Sequence, residues 1–180
     1  MAYTGTMHII ENKTQWEDLV GHILTFKYLN KQELSIILKA GSIITYETDE
    51  ILAKEGELEP WFFGILEGTV SVSVSEKNKK ETYMNSLGPG DIFGEAGIFL
   101  NVPRTATITA MGPCTVFRIH RNDLSAFFKQ NPVATNKMLL VIIYGLLRKL
   151  RAANLELAFE RREDIDQSDI DAMVDRILNT

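Results

Sequence analysis

Residues 88–108 read GPGDIFGEAGIFLNVPRTATI, and no other stretch of the chain constrains its fold and chemistry so tightly. Glycines at 88, 90, 94 and 97 permit backbone shapes and close approaches that a side chain would obstruct. Glu95 stands between the last two of them, and Arg104 follows nine residues later, joined at once by Thr105 and Ala106. An anion bound inside a protein needs fixed donors. Arginine offers a planar fork, and nearby amides or a hydroxyl complete a cradle. Glu95 cannot serve an anion, so its natural task is to accept from hydroxyls such as those of a sugar. A lone Glu–Arg pair is ordinarily a surface ion pair, but that reading leaves the surrounding glycines without a purpose.

Outward from this segment the period of the sequence is two. Val70, Val72 and Val74 alternate with Ser71, Ser73 and Ser75, which places valines on one face of a strand and serines on the other. Ile43–Tyr46, Ile51–Leu52, Trp61–Leu66, Glu81–Leu87, Thr105–Thr109 and Cys114–Ile119 read as further strands. Many short strands joined by Gly-containing turns predict a closed or sandwiched antiparallel sheet. Glu76–Lys80 reads as a solvated hairpin turn, and Met84, Phe99 and Trp61 read first as packing residues.

Helices flank this β region. Thr14 with Glu17, and Asn30 with Glu33, have the spacing of capping boxes ahead of apolar stripes, and Gly41 is placed to end the second helix. Asp123–Phe128 is helical in pattern, and Asn131-Pro132 is a start signal for a helix running to about Phe159. Leu139 to Ile143, Leu146 and Leu147 make that helix apolar nearly all round, which predicts burial on more than one side, one of them in a homodimer. Residues 1–159 are expected to form one domain and 160–180 a short acidic helical tail.

Composition narrows the function. With 19 basic and 24 acidic residues the formal charge is −5, which argues against a broad grip on nucleic acid or anionic lipid. Cys114 is the sole cysteine, so no intramolecular disulfide forms, and a reducing, cytoplasmic setting is expected. His8, His22 and His120 lack metal-ligand spacing, so no metal is expected. The run MLLVIIYGLL at 138–147 is about half the length needed to span a bilayer, and the first residues have no secretory pattern.

Phe93-Gly94-Glu95 and Pro103-Arg104-Thr105-Ala106 match the opening and close of the phosphate-binding cassette of cyclic nucleotide-binding domains. The segment resembles that family, which includes catabolite-activator regulators, kinase regulatory subunits and gated-channel modules. Gly56, the Ile65–Gly68 turn, Gly88–Asp91 and Asn131-Pro132 fall in family order, so the resemblance covers roughly Trp16 to Asn154. It implies a mainly β fold, a β-roll of jelly-roll type with flanking helices and a long C-terminal helix. It further implies Glu95 on the ribose 2'-hydroxyl, Arg104 on the cyclic phosphate, amides of Gly94, Glu95, Ala96 and Ala106 as donors, and Thr105 as a phosphate contact. Base contacts fall to Lys149, Arg151 or Asn154, since alanines stand at 152 and 153 where catabolite-activator relatives carry a hydroxyl.

Thr105 suits the guanine edge of cyclic GMP, whereas the catabolite-activator likeness favours cyclic AMP, the ligand preferred here. About twenty residues, acidic overall, follow Phe159, too few for the DNA-binding module of the regulators. No nucleophile-and-base set stands out, so an enzyme is not expected. The expectation is a stand-alone sensor that signals to an effector protein through its C-terminal helix. The alternative is an interaction domain of the same fold that has lost nucleotide affinity.

Overall fold

In the computed structural model, structure is described for residues 8–10, 14–75, 81–100, 102–151 and 153–155. The Glu76–Lys80 turn and the 160–180 tail lie outside these residues. The chain divides into two compact units, Met1–Leu139 and Leu140–Thr180.

The first unit is built on two antiparallel sheets. Strands β1 (His8–Ile9), β2 (Ser42–Tyr46), β4 (Trp61–Glu67), β7 (Ile92–Phe93) and β9 (Cys114–His120) form one, in the order β1-β2-β9-β4-β7. Strands β3 (Ile51–Ala53), β5 (Val70–Ser75), β6 (Glu81–Leu87) and β8 (Thr107–Ala110) form the other, in the order β3-β8-β5-β6. Together the two sheets make a β-roll with helices at its flanks. Ile44, Phe63, Ile65, Phe93 and Val116 from the first sheet meet Leu52, Val70, Ile108 and Ala110 from the second in one buried cluster. Phe63 and Phe93 stack within it, with centroids 4.6 Å apart and planes 8° from parallel.

The valine–serine alternation of β5 holds, with one refinement. Val70 is in the core and Val72 packs against it, so these two valines face inward. The serine face is not simply wet: Ser73 is buried, and the Ser71 hydroxyl donates to the Thr109 carbonyl at 3.3 Å. Met84 and Phe99 depart from the packing roles read for them, being 58% and 50% exposed. Met84 is the extra residue where the register steps from Val72↔Asn85 to Ser73↔Tyr83. Such a bulge re-aims side chains, and simple alternation does not foresee it.

Helices cover the outer face of the five-stranded sheet. Helix α1 (Glu17–His22) starts behind a 3-10 turn at Thr14–Trp16, with Trp16 rather than Thr14 at its cap and no capping side-chain bond. In α2 (Lys31–Ala40) the capping box forms: the Glu33 amide donates to Asn30 Oδ1 at 2.9 Å and the Asn30 amide to Glu33 Oε2 at 2.8 Å. Gly41 ends α2 for a packing reason, because a Cβ there would lie 2.2 Å from the Phe117 ring. Phe26 packs on Phe62 and Phe117 with centroids 6.0 and 5.6 Å away.

Helix α4 (Arg121–Gln130) leads to Asn131, whose side-chain amide donates to the Phe127 carbonyl and closes α4, while its backbone carbonyl accepts from the Thr135 amide at 2.9 Å and so begins the next helix. Helix α5 follows at once, from Pro132 to 155. Ala134, Met138 and Ile142, four residues apart, are buried, whereas Leu140, Ile143, Leu147 and Leu150 are exposed. None of the described helices is long and apolar enough to cross a membrane.

The turn between β4 and β5 rests on Gly68, at φ +83°. A Cβ there would sit 2.6 Å from both Cys114 Cβ and the Pro113 carbonyl oxygen. Gly56 has nearly the same φ, +82°, but nothing within 4 Å of a Cβ. Gly56→Ala should therefore cost only the left-handed backbone term, about 1–2 kcal/mol. Gly68→Ala should cost at least about 2 kcal/mol more, because its clash is partly with backbone that cannot rotate away. Urea unfolding of both variants checks this, and equal losses would contradict it.

Candidate functional site

Strand β7 delivers the chain to Gly94, helix α3 (Ala96–Phe99) makes one turn, and residues 102–106 lead into β8. The exit is latched to the loop ahead of β4: the Gly56 amide donates to the Arg104 carbonyl and the Arg104 amide to the Glu57 carbonyl, both at 2.9 Å. Arg104 is thereby fixed at its backbone, and its side chain runs back beneath the glycines.

Those glycines now have a physical cause. At Gly94, with φ +80°, a Cβ would stand 2.5 Å from Arg104 Nη1 and 2.7 Å from the Trp61 carbonyl oxygen. At Gly97 a Cβ would come within 3.2 Å of the Glu59 carbonyl oxygen and 3.4 Å of Arg104 Nη1. Only a backbone without side chains can lie this close over a guanidinium.

The Arg104 side chain is only 8% exposed. Nη2 donates to the Trp61 carbonyl at 2.6 Å, and the guanidinium carbon lies 5.8 Å from the centre of the Phe63 ring. Nε faces Glu59 Oε2 at 3.8 Å, beyond hydrogen-bond reach, and both atoms are buried without a hydrogen-bond partner. Burial pulls the Arg104 pKa below its usual value, while the carboxylates of Glu59 and Glu95 oppose that shift. Burial likewise pushes the Glu59 pKa up, against the opposing influence of Arg104. A buried donor left unmatched costs free energy and is what an anionic ligand would satisfy.

Among the residues expected at the site, Glu95 and Arg104 are brought close enough to interact electrostatically. Glu95, half-buried, is the residue ahead of α3 and makes no capping bond. Gly94 and Ala106 are half-buried, and Ala96 and Thr105 are exposed. The Gly97 amide is used inside the turn, donating to the Gly94 carbonyl at 3.1 Å. Lys149, Arg151 and Asn154 are exposed positions of α5 in the second unit. A cleft of about 180 Å³ beside the cassette is lined by Leu58, Glu59, Pro60, Gly97, Leu100, Val102 and Arg121. It includes neither Glu95 nor Arg104 and is smaller than ordinary small-molecule pockets.

Two side chains of this site, Glu59 and Arg118, escaped sequence reasoning, as did the role of the Trp61 carbonyl. Glu59 and the Trp61 carbonyl hold Arg104, and Arg118 lies with its guanidinium carbon 4.2 Å from the centre of the Trp61 ring. Trp61 is thus half-buried at the rim of the core, edge-on to His120 at 5.1 Å. Arg118 carried a legible signal, since alternation along β9 puts it on the inward face with Val116. Glu59, one of several acids between Glu55 and Pro60, carried none. His22 and His120 have local structural contacts, to the Asp18 carbonyl and from the Asn122 amide. Among the described residues no group of His, Cys, Asp and Glu is placed to hold a metal.

Comparison with known proteins gives concordant matches. Residues 43–131 match the cyclic nucleotide-binding domain family. A cGMP-dependent protein kinase of Toxoplasma gondii is 33% identical over 92 residues, which are 51% of this chain and 9% of the kinase. The chain therefore spans a small fraction of that relative. A cyclic nucleotide-binding domain from Methylobacillus flagellatus superposes with a TM-score of 0.74 at 21% identity, covering 81% of this chain and 84% of that one. The regulatory domain of Toxoplasma gondii PKA, crystallised with cAMP, gives 0.59 at 27% identity, covering 69% and 46%.

The packing of Arg104 under Gly94 is testable without any ligand. Gly94→Ala should lower the unfolding free energy by about 3 kcal/mol, from backbone strain and overpacking together. Adding Arg104→Ala should recover part of that loss, because the nearest clashing atom is then gone. Strictly additive costs in the double-mutant cycle would show that the two residues do not press on each other.

Proposed function

We propose that this chain, a member of the cyclic nucleotide-binding domain family through residues 43–131, is a regulatory sensor for a purine 3',5'-cyclic monophosphate. The observation that carries the reading is the buried Arg104 guanidinium, roofed by Gly94 and Gly97, with an unmatched Nε donor. A monoanionic cyclic phosphodiester satisfies that donor by a charge-assisted bond, and Glu95 accepts from the ribose 2'-hydroxyl on the same turn. The amides of Gly94, Glu95, Ala96 and Ala106 and the Thr105 hydroxyl complete the phosphate contacts. Cyclic AMP is the preferred ligand, in keeping with the PKA regulatory domain crystallised with cAMP. The cGMP-dependent kinase and the exposed Thr105 support cyclic GMP as the second candidate. The reading assigns binding rather than turnover, in a cytoplasmic protein that acts on an effector protein and not on DNA.

Output is assigned to α5. Its exposed Leu140, Ile143, Leu147 and Leu150 form apolar surface that a second copy of the chain would cover, and Lys149, Arg151 and Asn154 are the base-contact candidates on the same helix. A ligand shifts such a helix only by binding its two arrangements unequally.

Glu95→Ala should weaken binding of a cyclic nucleotide by about 10-fold or more, the worth of a hydrogen bond to a charged acceptor. Against the 2'-deoxy ligand the same substitution should have little effect. Equal losses with both ligands would remove Glu95 from the ribose. Amide exchange should slow beyond Pro132 as well as across Gly94–Ala106 when ligand binds. Protection confined to the cassette would exclude α5 as the output.

A further inference from the structure

We infer that Glu59 is a built-in counter-anion that competes with the ligand phosphate for Arg104, with Arg118 as the second cation that retains Glu59 once the phosphate has taken Arg104. The inference rests on the functional reading above and assigns to that site a residue that sets its affinity. Glu59 Oε2 lies 3.8 Å from Arg104 Nε, and these two buried atoms are both without a hydrogen bond. They are too far apart to satisfy each other and too close for an anion to reach Nε without meeting the carboxylate.

The carboxylate has somewhere else to turn. Glu59 interacts electrostatically with Arg118 as well as with Arg104. Arg118 Nε is itself buried and unmatched, on a guanidinium stacked over Trp61. Trp61 joins the two cations, since its carbonyl accepts from Arg104 Nη2 and its ring carries Arg118. The side chain between them thus has two cationic partners, of which the phosphate removes one.

The direction of the pH effect follows. Desolvation already raises the Glu59 pKa, and Arg104 holds it down. A phosphate on Arg104 neutralises that restraint and adds a like charge, so Glu59 takes up a proton more readily in the complex. Binding is then tighter as pH falls towards the Glu59 pKa, and weaker above it. The other charged or titratable groups around Glu59 are Glu57, Tyr46 and Arg118, with Glu95 acting on Arg104, His120 against Trp61 and Arg121 lining the same cleft. Glu59→Gln leaves all of them in place and isolates the carboxylate.

The experiment uses the full chain with cyclic AMP and cyclic GMP as separate probes, titrated by calorimetry at about pH 7.5 and about pH 5.5. Glu59→Gln should bind about fivefold more tightly than wild type at the higher pH. Wild-type affinity should rise at the lower pH and approach that of the variant, whose own affinity should change little. Carboxyl-carbon NMR of the ligand-free protein should show Glu59 titrating above exposed glutamates, and higher still in Arg104→Gln. Wild-type binding with no gain in Glu59→Gln would overturn the proposal and leave the functional reading standing. Binding by neither protein would overturn the functional reading. The Glu59 titration then decides separately: no upward movement in Arg104→Gln would show that the carboxylate does not hold the arginine.

Discussion

The site is organised by one constraint: a guanidinium kept out of water must have its donors met and its charge answered. Arg104 meets these demands only in part, through the Trp61 carbonyl on one nitrogen and a distant Glu59 on another. The glycines above it, the latch of Gly56 and Glu57 on its backbone and the aromatic ring of Phe63 below are the means by which the partial burial is sustained. On the proposed reading, the arrangement trades some stability for a donor held ready for an anion, a cost expected where a site is built in advance of its ligand.

The two sheets supply the rigidity this requires. Phe63 connects the cassette to the core, stacked on Phe93 just before Gly94 and paired in register with Arg118 of β9. The cassette also feeds β8, whose Ile108 pairs with Val72 of β5 within the four-stranded sheet. Entry and exit of the loop are therefore both anchored in paired strands.

The sequence made legible whatever depended on local pattern. Valines at 70 and 72 announced the inward face of a strand, Asn30 with Glu33 announced a helix start, and the glycines at 94 and 97 announced a close approach of backbone, which proves to be over Arg104. Features set by distant contacts were hidden. Gly41 was legible as the end of α2 but its reason was not: it is extended, and small because Phe117 crosses it. Asn131 was legible as the start of α5, but not that its side-chain amide also closes α4 on the Phe127 carbonyl. Met84 was exposed by a bulge that no periodicity records, and Glu59 became important only when folding set it beside Arg104.

If Arg104 is the anchor of the site, its removal must abolish binding while the roll survives. Calorimetry of wild type and Arg104→Ala with cyclic AMP and cyclic GMP, with 5'-AMP as the acyclic control, tests this most directly. Saturable binding of a cyclic ligand by wild type and a loss of about 30-fold or more in the variant, with native circular dichroism, is the predicted result. Equal affinity in the two proteins, or no saturable heat in wild type at millimolar ligand, would contradict it.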